Sequence, residues 1–156
     1  MAYHDELLDL ASDLVEVDAT QGELRRSVST AYYALFHLLV AETTLNWNRE
    51  SSRNALGRMF DHSLMKRVSD AVADVKRSPY PGKDPAAVSG LRLVAKAFVD
   101  LQELRHSADY DNGTSWSPID AAVAAARARA AFIAWNEIRD KDIAQEYLVA
   151  LLIRPR

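Results

Sequence analysis

ELRRSVSTAYYALFHLLVAETTL, residues 23–45, is the stretch on which the fold turns. It contains neither Gly nor Pro and its residue types tolerate a helix, so it predicts a helix of about six turns. Leu24, Val28, Ala31, Leu35, Leu38 and Leu39 recur at helical spacing, and Tyr32, Phe36 and Val40 widen the apolar arc. A helix apolar over so much of its circumference has to be surrounded by other helices. One line along it is polar. Arg26, Thr30, Tyr33 and His37 fall at i, i+4, i+7 and i+11, which sets a cation, a hydroxyl, a phenol and an imidazole on one seam.

Before that helix, residues 3–17 place Leu7, Leu10, Ala11, Leu14 and Val15 on one face, with Asp5, Glu6, Asp9 and Asp13 opposite. This predicts a short amphipathic helix with acids near its positive end. Asp18-Ala19-Thr20 offers a break and a cap. Beyond Asn46-Trp47-Asn48, Ser51 or Ser52 can cap a brief helix carrying Leu56, Met59 and Phe60. Asp61 or Ser63 can open another, with Leu64, Val68, Ala71, Val72 and Val75 inward. Residues 78–85, SPYPGKDP, hold three prolines and a glycine and read as a surface loop.

Residues 86–110 form a second long helix, with Val88, Leu91, Val94, Phe98, Leu101 and Leu104 as its buried stripe. Arg105 and Ala108 continue the stripe, so this arginine leans inward. Asp111-Asn112-Gly113 supplies the stop, with Asn or Gly available for a left-handed position. Ser117-Pro118 pairs a capping hydroxyl with Pro at the first helical position and opens an alanine-rich helix over 118–139. There Ile119, Val123, Ala126, Ala130 and Ile133 form one face, and Phe132 and Trp135 start another. Asp142 can cap a last helix, IAQEYLVALLI, within a C-terminal extension over 141–156. That helix is too apolar for a solvated tail and is expected to pack on the bundle or on a second copy. No segment alternates at strand spacing. The expectation is a single all-α domain over 1–156, an antiparallel bundle of four long helices with short extras.

Composition narrows function by exclusion. Hydrophobic residues at 49% and charged residues at 26% of a 156-residue chain are ordinary for a soluble domain. A net charge of −3 gives no global attraction for nucleic acid, so any such contact needs a local basic site. Without Cys there is no disulfide, thiolate metal site or Cys nucleophile. No apolar run suffices to span a bilayer and the N-terminus lacks a signal-peptide pattern, so the expected location is cytoplasmic. Glycine-rich phosphate loops, HExxH and a nucleophile elbow are all missing. His4, His37, His62 and His106 form no helical pair, and Glu103-x-x-His106 lies off the buried stripe, so no metal site is expected.

What remains is the seam and LRHSADYD, residues 104–111. Arg105 and Asp109 can pair at i, i+4, and Tyr110 follows at the helix end. Set beside the seam, they would gather Arg26, Arg105, Tyr33, Tyr110 and His37. Guanidinium forks bind phosphate oxygens and aromatic faces stack bases, so the set suits phosphate or nucleotide recognition. The structural alternative makes Arg105–Asp109 a pair that fixes helix register, with Tyr32, Tyr33 and His37 as hydrogen-bonded core residues.

RRSVSTAYYALFHLL (25–39) and RHSADYD (105–111), with DHSLMKRV (61–68) as a weaker third match, resemble the HEPN family of small helical domains. The matches stand in the family's order, and the helix plan agrees across about residues 5–140. The resemblance implies an up-and-down bundle of four to five helices, usually a homodimer, with no cofactor. Relatives include metal-independent endoribonucleases, toxins of toxin–antitoxin pairs encoded beside a minimal nucleotidyltransferase, and non-catalytic RNA- or nucleotide-binding modules. Ribonuclease members carry an Arg followed, after four to six intervening residues, by a His that moves protons while the Arg stabilises phosphate. In this chain Tyr110 stands at the nearest such place, and a phenol is a poor base at neutral pH.

The chain thus resembles the Arg-x-x-Ala-Asp-Tyr branch. The implied function is binding of RNA, a nucleotide or a nucleotidyltransferase partner through Arg26, Tyr33, His37, Arg105, Asp109 and Tyr110. One alternative is a ribonuclease in which His37 or His62, supplied from elsewhere in the fold, serves Arg105. The other is a purely structural dimerisation module.

Overall fold

The central helix begins where the Thr20 hydroxyl accepts a hydrogen bond from the Glu23 amide, and it runs Gln21–Thr44. In the computed structural model, which describes residues 1–77 and 80–155, it is the second of seven helices. They are α1 (Tyr3–Asp13), α2 (Gln21–Thr44), α3 (Glu50–Gly57), α4 (His62–Ala73), α5 (Pro85–Tyr110), α6 (Pro118–Ile138) and α7 (Asp142–Leu152). No strand occurs among the described residues; Ser78 and Pro79 of the expected loop lie outside them. None of the described helices is long and apolar enough to cross a membrane.

Local chemistry sets most of the boundaries. Asp61 accepts from the Ser63 and Leu64 amides to start α4, and Asp84 caps α5 with Pro85 at the first position. Ser117 and Asp120 exchange side chain-to-backbone bonds in a capping box at the head of α6. Two expected caps are corrected. Ser51 and Ser52 lie within the first turn of α3, whose cap position is Arg49; Asp142 is the first residue of α7, an acid at the positive end rather than the cap. α1 also stops at Asp13, short of 17: the Ala11 carbonyl accepts from Ser27 Oγ on α2 at 2.6 Å, and the Val15 amide turns to the Ser12 carbonyl in a tighter bond.

α2 packs on α1, α5 and α6, and α5 packs on α2, α4 and α6, so these two helices carry the core. Tyr32, Leu35, Leu39, Leu91, Phe98, Leu101 and Trp135 are fully buried there. Three helices, α2, α5 and α6, are long; α1 and α4 are shorter partners. α7 lies against α4, α2 and α5, with Ile143, Ala144, Tyr147, Leu148 and Leu151 buried in the same core. Its Tyr147 hydroxyl meets the buried Ser69 hydroxyl at 2.7 Å. The apolar last helix is therefore covered by its own chain.

Some inward positions differ from the reading. In α1 Leu8 is buried and Leu10 is 45% exposed; in α4 Met65 is buried, while Val75 lies beyond the helix and is exposed. In α6 the buried face is Ala121, Ala124, Ala125, Ala128, Ala131, Phe132, Trp135 and Ile138. Ile119, Val123, Ala126, Ala130 and Ile133 face solvent. The reason is steric: alanine methyls let α6 lie close against α2 and α5, where a row of isoleucines would hold it off.

The end of α5 is held differently from the expected left-handed stop. Gly82 is the only described residue with positive φ. Instead Arg25, on α2, donates to the carbonyls of Ala108 (2.8 Å), Asp111 (2.9 Å) and Thr114 (2.6 Å). One guanidinium thus takes the Ala108 carbonyl left open at the helix end and ties down two carbonyls of the loop that follows. Asp111 organises the following turn, accepting from Gly113 N and Thr114 Oγ1. Gln21 pairs with both the N–H and the C=O of Trp116. Arg25→Ala should destabilise the chain by about 2–3 kcal/mol, because hydrogen bonds to a charged group are lost together. Urea unfolding would show this as a lower midpoint with an unchanged slope.

Candidate functional site

Arg105 sits on the penultimate turn of α5, on the stripe that faces α2. Its side chain is 15% exposed. The guanidinium carbon lies 5.1 Å from the centre of the Tyr32 ring and 5.7 Å from that of Tyr33, so two aromatic faces hold the cation. Asp109, one turn on, comes to 3.6 Å of a terminal nitrogen, which is an ion pair rather than a hydrogen bond. Ser29 donates weakly to the same carboxylate at 3.4 Å. Among the described residues the Arg105 Nε is buried with no partner. Buried donors are nearly always satisfied, so an open one on a charged fork calls for an explanation.

A cleft of about 360 Å³ opens beside it, lined by Lys66, Gln102, Glu103, Arg105 and His106. Gln102 donates to the His62 carbonyl at 3.4 Å, yet its Oε1 is buried without a partner among the described residues. Gln102 and Arg105 thus both line the cleft, each with one buried polar atom left unpaired behind its wall. Lys66 Nζ lies 3.5 Å from Glu103 at the rim.

On the α2 side an aromatic shelf continues from the tyrosines. His62, the first residue of α4, stacks on Phe36 with centres 4.5 Å apart and planes 16° from parallel. It stands edge-on to Tyr33 at 6.3 Å. Its Nδ1 is 2.5 Å from the Tyr32 hydroxyl. Next along the shelf, His37 packs against Phe36 at 5.2 Å and takes the edge of Tyr3 at 4.9 Å. Burial is the main cause that holds the His37 imidazole below its usual range, helped by His4 and His62. Burial likewise holds His62 low, with Arg105 adding to it and Asp61 opposing. Both rings are thus neutral at neutral pH. Burial pushes the Tyr32 phenol well above its ordinary range, so its hydroxyl keeps its proton.

Of the residues expected from the sequence, Arg105, Asp109, Tyr33 and His62 come together, and His37 joins them through Phe36. Arg26 does not. It is exposed two turns before Tyr33, about 10 Å along the helix axis, and has no hydrogen bond or ion pair among the described residues. Tyr110 is 67% exposed and turned about 140° around the helix from Arg105; it packs on the His106 ring at 5.1 Å. Sequence reasoning missed Tyr32 as the wall between Arg105 and His62, and Gln102 and Lys66 in the cleft. The last two carry a retrospective signal, lying one turn from Arg105 and His62 on the same helices. Among the described residues no group of three His or acidic side chains is placed to hold a metal ion. Compared with family models, with curated proteins and with solved structures, the chain finds no match.

Proposed function

We propose that this chain is a HEPN-type helical module that binds single-stranded RNA or a nucleotide. Arg105 takes a phosphate, and the shelf of Tyr33, Phe36 and His37 takes the base. The observation that carries the proposal is the Arg105 guanidinium, held between two tyrosine rings with a buried, unpaired Nε, beside an open cleft. A cation built only to fix helix register would have its donors consumed by its partner. Here, among the described residues, the carboxylate in reach is Asp109, and it lies beyond hydrogen-bonding distance. Aromatic faces beside a guanidinium match the two parts of a nucleotide. The family resemblance also brings a cytoplasmic homodimer, a toxin–antitoxin setting and a nucleotidyltransferase partner into the proposal.

Fluorescence anisotropy with a short labelled RNA, and competition by ATP or GTP, tests this. Saturable binding that weakens with added salt is expected; no binding to any of the three would overturn it. A second reading, metal-independent RNA cleavage, is favoured by one observation: His62 and Arg105 each stand against both Tyr32 and Tyr33. Cleavage in EDTA that disappears in both Arg105→Ala and His62→Ala would move the chain to that class.

A further inference from the structure

The hydrogen bond between Tyr32 and His62 determines what His62 can do. The Tyr32 hydroxyl belongs to a fully buried residue, and His62 Nδ1, at 2.5 Å, is its only hydrogen-bond partner among the described residues. A buried neutral phenol has one hydrogen to place, and here it can place it only on that nitrogen. Nδ1 is then the acceptor. A neutral imidazole that accepts at Nδ1 carries its own hydrogen at Nε2.

A half-turn of the ring would keep its plane but set Cδ2, a carbon, where Nδ1 meets the tyrosine, so that turn forfeits the hydrogen bond. Phe36 stacks on one face at 4.5 Å and Tyr33 stands edge-on at 6.3 Å. His62 Nε2 has no partner among the described residues, yet it is not among the sealed polar atoms. The ring stands against the same two tyrosines as the Arg105 guanidinium. We infer that Tyr32 locks His62 as the Nε2–H form, and that this N–H is a second donor, beside the Arg105 guanidinium, for a phosphate oxygen. The choice of phosphate rests on the RNA-or-nucleotide reading above; the tautomer does not.

The chemical consequence is specific. A neutral imidazole with its hydrogen at Nε2 has no lone pair there to take a proton from a ribose hydroxyl. It can only donate, so the arrangement grips an anion and is not set to cleave. Tyr32 is a positioning residue, acting through His62.

Nitrogen-15 NMR of the histidine rings in the free protein tests the tautomer. We expect protonated Nε2 and unprotonated Nδ1 for His62, with the preference lost in Tyr32→Phe. Protonated Nδ1 in the unaltered chain would overturn the inference, and that result stands even if Tyr32→Phe does not fold. Donation is tested with inorganic phosphate and with a short single-stranded RNA. His62→Gln places an amide N–H near the Nε2 position and should bind within about threefold of the unaltered chain, whereas His62→Ala should bind about tenfold more weakly. Glutamine keeps an amide where alanine removes every polar group, so the urea midpoint of each variant is read beside its binding to separate a lost donor from lost packing. Equal binding by His62→Ala and the unaltered chain would refute the donor role. Failure of the unaltered chain to bind either probe would refute the phosphate half, with the function it rests on, while leaving the ring nitrogens to be judged separately.

Discussion

Arg105→Ala should weaken binding of a short single-stranded RNA by about 10- to 100-fold, the loss expected when hydrogen bonds from a charged donor to a phosphate disappear. The dependence of affinity on salt should flatten by about one phosphate contact at the same time. Arg105→Lys separates charge from geometry. Lysine keeps the positive charge but cannot spread a planar fork over Tyr32 and Tyr33 or present two parallel donors, so it should recover only part of the affinity. The loss of stability should be modest, that of the packing on Tyr32 and Tyr33. Asp109 is 30% exposed and already receives a bond from Ser29, so losing its partner leaves no sealed, unpaired charge. If Arg105 served only to fix helix register, the order of effects would reverse, with the unfolding midpoint falling and binding unaffected. Anisotropy and urea unfolding on the same samples distinguish the two.

The largest effect on stability should come from Trp135. It is fully buried on α6 and among the largest side chains in the core. Trp135→Ala removes a fully buried indole from the core and should cost about 3–5 kcal/mol. Against a typical domain stability of about 5–15 kcal/mol, that leaves a chain near its unfolding threshold. Trp135→Phe should be far milder. The indole Nε1 has no partner among the described residues, so phenylalanine loses volume without forfeiting a hydrogen bond. Urea midpoints should therefore rank the unaltered chain first, Phe close behind and Ala well below.

The helical plan was legible because long apolar periodicity and capping chemistry are local. Thr20, Asp61 and Ser117-Pro118 announce helix starts through bonds that span three residues. What was illegible depends on partners distant in sequence. Arg25 and Arg26 are neighbours with the same side chain, yet one grips three carbonyls more than eighty residues away and the other meets solvent. Nothing in residues 21–30 distinguishes them. For α6 the sequence shows two apolar faces without saying which is inward, and the structure buries the one with Phe132, Trp135 and the alanines while Ile119 and Ile133 stay exposed.

The site divides along the same line. Arg105 and Asp109 share one helix and follow from i, i+4 spacing. The contact of His62 with Tyr32 joins α4 to α2 and has no periodicity to reveal it. Its consequence for the ring's hydrogen required coordinates for both groups. Tyr110 shows the opposite case, a conspicuous motif residue that the helix turns away from the arginine.

One titration addresses the proposed binding most directly: the side-chain Nε–H resonance of Arg105, followed by NMR as a short single-stranded RNA is added. A phosphate seated on this guanidinium should shift that signal strongly and saturably, together with Tyr33 and His62, while Ile119 and Ile133 on the far face of α6 stay in place. A static Arg105 resonance while RNA binds elsewhere, or an unchanged spectrum throughout, would contradict it.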